Sequence, residues 1–516
     1  MTSVWMVTLL VVLLSVATAA AVVPTAVTIT GGVGPTFDGV GGASGGGGGT
    51  RLLIDYPGPQ QSDILDMLFK PLHGASLQHI KVEVGCDGDT TQGSEPTHAR
   101  SPTDVNFDRG YEVWLMQEAV KRRPGIQLSG LEWGIPGWVA AAGGGMWGET
   151  NVEYLTGWVT GLRDQKGLNI TSLGVAYNER AYNASFIKAM RRSLDSAGLR
   201  HVQTIAPDSW GAMWAIVADM QKDPVLAAAV DVIGTHCPGY INGIPGSSHQ
   251  PPPGTMELGK PLWSTEQHIG ERGLIGNAPA PFDADLPVWD FRAALGVARI
   301  LNQGYLTANQ TSTLFWTPVW SWYEHLLYGG KGLVVANTPW SGWWETPDAV
   351  WMVAHTTQFV QPGWRFTDSA GTTLMGDGQG SVVSYLSANG ADLSIVIETA
   401  QSNVANTVNI QLSRQFSLLE NLHMWRSEKG AVFVQQAPLR LHASKATLVL
   451  PPGVVITLTT TTGQTKGRPA SPVPKASNFS LPHSDDFEGY HEDSLPRFSS
   501  DMHGVFTTQH VPGVPI

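Results

Sequence analysis

Two glutamates carry the chemistry this sequence suggests. The first lies in residues 171–183, TSLGVAYNERAYN. Leu173, Val175 and Tyr177 make a short strand without proline, and the polar run Asn178-Glu179-Arg180 ends it. Asn183 then opens an amphipathic helix with Phe186, Met190 and Leu194 on one face. A carboxylate at the C-terminal tip of a strand that feeds a helix stands where βα folds do chemistry. Alone, it could equally be a strand-end carboxylate paired with a neighbouring arginine. The second glutamate decides the matter. Pro261-Leu262-Trp263-Ser264-Thr265-Glu266 is another strand ending in a carboxylate, 87 residues further on. At roughly 30 residues per βα unit, that is three units, which puts the pair on the fourth and seventh strands, across the mouth of an eight-stranded barrel. Two facing carboxylates are what glycosidic bond cleavage needs: one acid to protonate the leaving oxygen, one nucleophile or base at the anomeric carbon. Their environments must differ, so that one keeps its proton while the other stays ionised. Asn178 could hydrogen-bond the sugar hydroxyl beside the reacting carbon.

The surrounding elements fit that placement. Strand-like stretches fall at 37–44, 79–84, 127–133, 172–178, 202–206, 230–236, 261–266 and 312–317, and helix-like ones at 62–69, 110–122, 152–163, 184–196, 211–229, 289–302 and 347–359. The alternation predicts an α/β chain with a parallel (β/α)8 barrel. The segment 238–260 is rich in proline and glycine and shows no helix. Five glycines, Gly45 to Gly49, follow the first barrel strand; they either bring backbone close to a ligand or form a flexible linker. From about 361 short alternating runs predict a β-sandwich, which a strand near Val27 could join. The expected layout is a leader at 1–21, that joining strand within 22–36, the barrel at 37–360, the sandwich at 361–461, and a polar linker and tail at 462–516.

Composition excludes some partners. The chain has 516 residues, 31 Lys+Arg against 43 Asp+Glu, and a net charge of −12. That balance argues against nucleic acid and suits an acidic compartment. Nineteen tryptophans hint at sugar-binding platforms. Cys86 and Cys237 are too few for a disulfide framework, and two buried thiols are favoured over a bridge. No Cys/His spacing points to a metal, and no cofactor is expected. The apolar run from Val4 to Val23 ends in small residues, which favours a cleaved signal peptide over a membrane anchor. Sequons at Asn169, Asn183, Asn309 and Asn478 would be usable on a secretory route.

The strand tips resemble those of retaining glycosidases with (β/α)8 barrels. More closely, the chain resembles the galactocerebrosidase family. FDGVGGASGGG, ILDMLFKPLHGASLQHIKVEVG, DGDTTQGSEPTH, GYEVWLMQEA, GIPGW, YNERAYN, VDVIGTHCPG, LWSTE, RILNQGY, TSTLFW, WYEHLLYG and AHTTQFVQPGW carry the likeness. The resemblance implies Glu179 as acid/base and Glu266 as nucleophile. It implies sugar contacts from Asn178, Thr91 and Trp133, and further lining by Trp316 and Tyr328. His236, at the tip of the sixth strand, is another lining candidate. Read without the resemblance, Trp133 and Trp316 could be core aromatics, His236 a core histidine and Thr91 a plain loop hydroxyl. The implied substrate is a galactosylated sphingolipid, lifted from a membrane surface with a saposin-like activator, in a lysosomal or secreted setting. A β-glycosidase of other specificity and a catalytically weak sugar- or lipid-binding form are the alternatives. Three departures stand out. No arginine follows Ile397-Glu398-Thr399 before Arg414, where the family has one against the sugar. The segment 267–288 is longer than the family's. The chain stops at Ile516 soon after a stretch resembling the first strand of the family's lectin-like domain, so that domain is expected to be truncated.

Overall fold

The computed structural model describes residues 23–212, 214–237, 251–270 and 286–510. The expected leader, most of 238–260 and most of 267–288 lie outside them. Eight parallel strands close into a barrel: β1 Gly39–Ala43, β2 His79–Glu83, β3 Gln127–Glu132, β4 Ser172–Tyr177, β5 Gln203–Ser209, β6 Val232–His236, β7 Leu262–His268 and β8 Gln310–Trp316. Pairing of Ser312 with Gly39 and of Phe315 with Gly42 closes the ring. Each strand follows its neighbour in sequence order, as βα repeats with short connections require.

β2 shows how the alternation is used. His79, Lys81 and Glu83 point one way and Ile80 and Val82 the other, the period-two pattern of a strand. In an open sheet the polar face would meet water. Here the helices cover the outside, so Ile80 and Val82 pack into the barrel–helix core. The polar side chains fill the lumen, where His79 meets Ser129 of β3 at 2.7 Å and Lys81 reaches Asp208 of β5 at 2.8 Å.

Two strands differ from expectation in a way that matters. β5 continues past Pro207 to Ser209, and β7 runs two residues beyond Glu266 to His268. Proline and a polar run look like strand ends in sequence. In the barrel both tips stay paired, with a register shift in β7 between Ser264 and Gln267 opposite β8.

A second core lies in a sandwich. Seven strands run in the order Val33–Thr36, Arg365–Thr373, Ser381–Leu386, Leu393–Glu398, Val455–Thr459, Asn421–Glu428, Ala431–Arg440. A three-stranded sheet faces them, with Thr25–Ile29 parallel to Asn406–Leu412 and Lys445–Leu450 on the far side. Helices Phe291–Ala308 and Ala349–Thr357 lie between barrel and sandwich. From the second of these helices, His355 bonds Thr457 and Ser427 at 2.8 Å each. The segment after 462 has no helix or strand among its described residues, yet it is not detached. Asp63 accepts from the amides of Ala470 and Ser471, and Asp493 pairs with Arg100 and Arg109 at 2.8 and 2.9 Å. Backbone amides and ion pairs dock it where apolar side chains are few.

Candidate active site

The C-terminal ends of the barrel strands surround a cavity of about 380 Å³ lined by Thr91, Trp133, Asn178, Glu179, Trp210, His236, Cys237, Glu266, His268, Trp316 and Tyr328. All eight residues singled out from sequence stand on its wall. Trp210, Cys237 and His268 are additions.

Glu179 follows β4 in the left-handed region, at φ 57°. That turn swings its carboxyl off the strand line and over the mouth. One oxygen meets His236 Nδ1 at 2.5 Å, and the other accepts from the Trp210 amide at 3.2 Å. Asn178, just before it, is anchored through its backbone N–H to the Glu132 carbonyl at 2.9 Å. Glu266 rises from β7 across the cavity. Its oxygens lie 3.7 Å from His236 Nδ1 and 3.4 Å from His268 Nε2. Since β-strand side chains at i and i+2 share a face, Glu266 and His268 both look into the cavity.

Burial works against ionising Glu266, but the His236 charge and the His268 ring outweigh it and hold the carboxyl below its usual range. Burial also opposes a charge on His236. The surrounding carboxylates of Glu266, Asp208 and Glu179 prevail and raise it to about 10. Both ring nitrogens face carboxylate oxygens, an arrangement that favours the ring protonated on both nitrogens. Asp208, equally buried, is held well below the usual carboxylate range because Lys81 and His236 overcome its desolvation.

The glycine run backs one wall, packed behind Trp133, Thr91 and Trp316. Gly46 and Gly47 donate their amides to Glu83 at 3.0 and 2.6 Å, and Thr90 adds a third bond at 3.1 Å. The Gly45 carbonyl accepts from Trp316 Nε1 at 2.8 Å. A side chain at Gly45 would run into the Trp133 ring, and one at Gly46 would press on Thr91. The run is buried backbone held against the site rather than a linker. Trp316 in turn meets Tyr328 edge-on at 5.2 Å and the His268 ring at 5.2 Å, giving flat aromatic walls. Cys86 and Cys237 are both buried, and Cys237 borders the cavity.

Glu179, His236 and Glu266 are the one group among the described residues whose ligating atoms cluster tightly, within 4.8 Å of one another. Two carboxylates beside one imidazole are also a set suited to proton transfer and carboxylate chemistry. Among the described residues, no arginine lines the cavity. Glu398, on the strand where the family's arginine would follow, is buried against Arg299 at 3.6 Å.

A family model described as glycosyl hydrolase family 59 matches residues 37–358. The chain belongs to that family. It is a glycoside hydrolase. Galactocerebrosidase from Salmo salar is 38% identical over 505 residues, covering 92% of this chain and 70% of the relative. Galactocerebrosidase from Homo sapiens is 38% identical over 503 residues, 92% of this chain and 68% of the relative. Among solved structures, a family 30 subfamily 8 xylanase from Clostridium acetobutylicum matches with TM-score 0.61 at 18% identity, covering 84% of this chain and 99% of the xylanase. At that identity the likeness speaks for the barrel and sandwich alone. Among the described residues no helix is long and apolar enough to cross a membrane.

Proposed function

We propose that this family 59 enzyme is a retaining β-galactosidase that cleaves galactosylated sphingolipids, releasing galactose from galactosylceramide, with Glu266 as nucleophile and Glu179 as acid/base. One observation carries the reading. One oxygen of each glutamate lies within 4.8 Å of an oxygen of the other, which brings the two carboxyl groups close together. Inverting enzymes need roughly 6.5–9.5 Å between their carboxyls to fit a water, whereas retaining ones need about 5 Å.

The site's asymmetry supports the division of labour. Glu266 is buried, faces two histidines and is held ionised, which suits attack on the anomeric carbon. Glu179 is more open, with 44% of its side chain exposed, and can meet both the departing aglycone and the incoming water. In the first step Glu266 forms a C1–O ester while Glu179 gives its proton to the leaving oxygen. In the second, Glu179 takes a proton from water as that water attacks C1, and Glu266 leaves with its electron pair. Asn178 would hold the neighbouring hydroxyl, and Trp133 and Trp316 the apolar sugar face.

The relatives' name supports a galactosylated lipid as substrate. Trp210 lines the cavity yet stays 36% exposed, an apolar rim for an aglycone. A lipid substrate implies a saposin-like activator, transient contact with a membrane surface, and a lysosomal or secreted location. The test is proton NMR of galactosylceramide hydrolysis in detergent, watching which anomer forms first. β-Galactose is expected. α-Galactose as first product would overturn retention, and no hydrolysis would overturn the substrate.

A further inference from the structure

A second cavity, of about 690 Å³, lies between the hairpin of Ala99–Ser101 and Asp104–Val105 and the helix Glu149–Lys166. Small-molecule sites commonly enclose about 300–1,000 Å³. None of its lining residues lines the catalytic cavity. The two are nevertheless neighbours in the chain, for Trp133 lines the catalytic cavity and Trp138, at the start of the next short helix, lines the second.

Two lining residues have features that packing does not explain. The His98 ring is stacked between Phe107 and Tyr154, at 4.9 and 4.5 Å, and only 7% of the residue is exposed. Burial and the Arg109 charge hold it neutral, down at about 3. A neutral imidazole carries one donor and one acceptor. Yet its buried Nδ1 has no hydrogen-bond partner among the described residues, where buried polar atoms normally have one. The second residue is Gly157, exposed in the middle of the helix Glu149–Lys166. Glycine there destabilises a helix relative to alanine, and a Cβ at Gly157 would meet nothing within 4 Å. Gly161, one turn on, is different, because a side chain there would run into the Phe107 ring. Close contact thus accounts for Gly161. What Gly157 provides is open space on the cavity wall.

The wall chemistry narrows the occupant. Among the described residues no lysine or arginine lines the cavity, while Glu153 and Asp164 do, which disfavours phosphate, sulfate and other anions. An alkyl chain would lay hydrocarbon against His98, Glu153 and the Thr150 and Thr160 hydroxyls, and polar groups covered without a partner cost stability. An ammonium suits Glu153 but only donates, so it leaves the imidazole N–H without an acceptor. A hydroxyl both donates and accepts. Trp138 supplies the apolar half. Its Nε1 donates to the Ala99 carbonyl at 2.7 Å and its ring meets Tyr154 edge-on at 6.1 Å, so the half-buried indole is fixed in place. We propose that this cavity is a second, non-catalytic sugar site, which holds a neutral hexopyranoside with its apolar face on Trp138 and its hydroxyls on His98 and Glu153. The head group of a glycolipid and the glycan of a glycoprotein share that chemistry.

The test is calorimetric titration of the whole chain with methyl β-galactoside and methyl α-mannoside, in the wild type, Gly157→Phe and His98→Phe. Gly157→Phe fills the cavity from a position where a side chain touches nothing else. His98→Phe keeps the aromatic stack and removes the ring nitrogens. Gly157→Phe should abolish one glycoside site, and His98→Phe should weaken it about tenfold, the effect of one lost hydrogen bond. Both variants should keep the wild-type kcat/KM on a nitrophenyl β-galactoside, since neither residue lines the catalytic cavity. Tighter binding of the galactoside would point to a glycolipid head group, and of the mannoside to a glycoprotein glycan. Binding of neither glycoside, or glycoside binding that is the same in all three proteins, would overturn the proposal. So would binding of dodecylamine without either sugar, which would mark a site for a cationic amphiphile. If His98→Phe does not fold, Gly157→Phe still decides. The titrations need no turnover, so an enzyme that binds a glycoside in this cavity but hydrolyses no galactoside would overturn the galactosidase reading and leave this one standing.

Discussion

Glu83 should make this protein an acid-stable fold. Its side chain is 1% exposed, and its partners are the amides of Gly46 and Gly47 and the Thr90 hydroxyl, with no cation. Burial therefore dominates and lifts the carboxyl from 4.5 to about 7. A raised folded-state value means that the unfolded chain ionises first as pH climbs. The stabilisation is complete below pH 4.5, shrinks as pH rises, and is gone once pH passes the folded value near 7. A shift of about 2.5 units at 1.36 kcal/mol each is worth about 3 kcal/mol. Spread over an unfolding entropy of about 2.1 cal/mol/K per residue, that is about 3 °C in Tm for a chain of this length. Glu83→Gln keeps an acceptor for the glycine amides and cannot ionise. The wild type should thus lose about 3 kcal/mol relative to Glu83→Gln between pH 4.5 and 7.5, read by denaturant and thermal unfolding of both proteins across that range. Stability curves that fall in parallel would refute the reasoning, because Glu83 would then titrate alike in folded and unfolded chains.

Gly45→Ala should fold less stably and lose most activity, since its methyl would push the Trp133 ring out of the cavity wall. A crystal structure or Trp fluorescence, together with steady-state kinetics, would check it, and unchanged kinetics would count against a sugar-facing Trp133. Glu179→Gln should lose about 10²- to 10⁴-fold on galactosides with poor leaving groups. It should lose far less in the first step with dinitrophenyl galactosides, which need no acid. Equal losses on both would argue against the acid role.

The barrel was legible because its strands and helices alternate at a steady spacing that only a few architectures accept. The site was largely legible for the same reason. Glu179 and Glu266 end strands, and Asn178, Trp133, His236 and Trp316 sit beside strand tips, so all were bound to meet at one end of a closed barrel. What escaped were groups whose role depends on continuation or on distant partners. His268 was hidden because β7 was expected to stop at Glu266, although the i, i+2 rule would have flagged it once the strand was lengthened. Asp208 follows a proline and lies beyond the 202–206 stretch that reads as a strand. Lys81 and Glu83 lie in a strand whose polar alternation reads as a wet face unless the barrel is already known. The glycine run was ambiguous in composition alone. Its buried amides acquire meaning only opposite Glu83, 36 and 37 residues away. The tail beyond 462 shows too few apolar residues to predict that Asp63 and a pair of arginines would hold it.

The central claim is that Glu266 attacks the sugar. Mass spectrometry with peptide mapping, after incubation with a 2-fluoro-galactoside that accumulates the glycosyl-enzyme, tests it most directly. The account predicts a single galactosyl adduct on the peptide carrying Glu266, formed as activity is lost. An adduct on another residue, or complete inactivation with no adduct at Glu266, would contradict it.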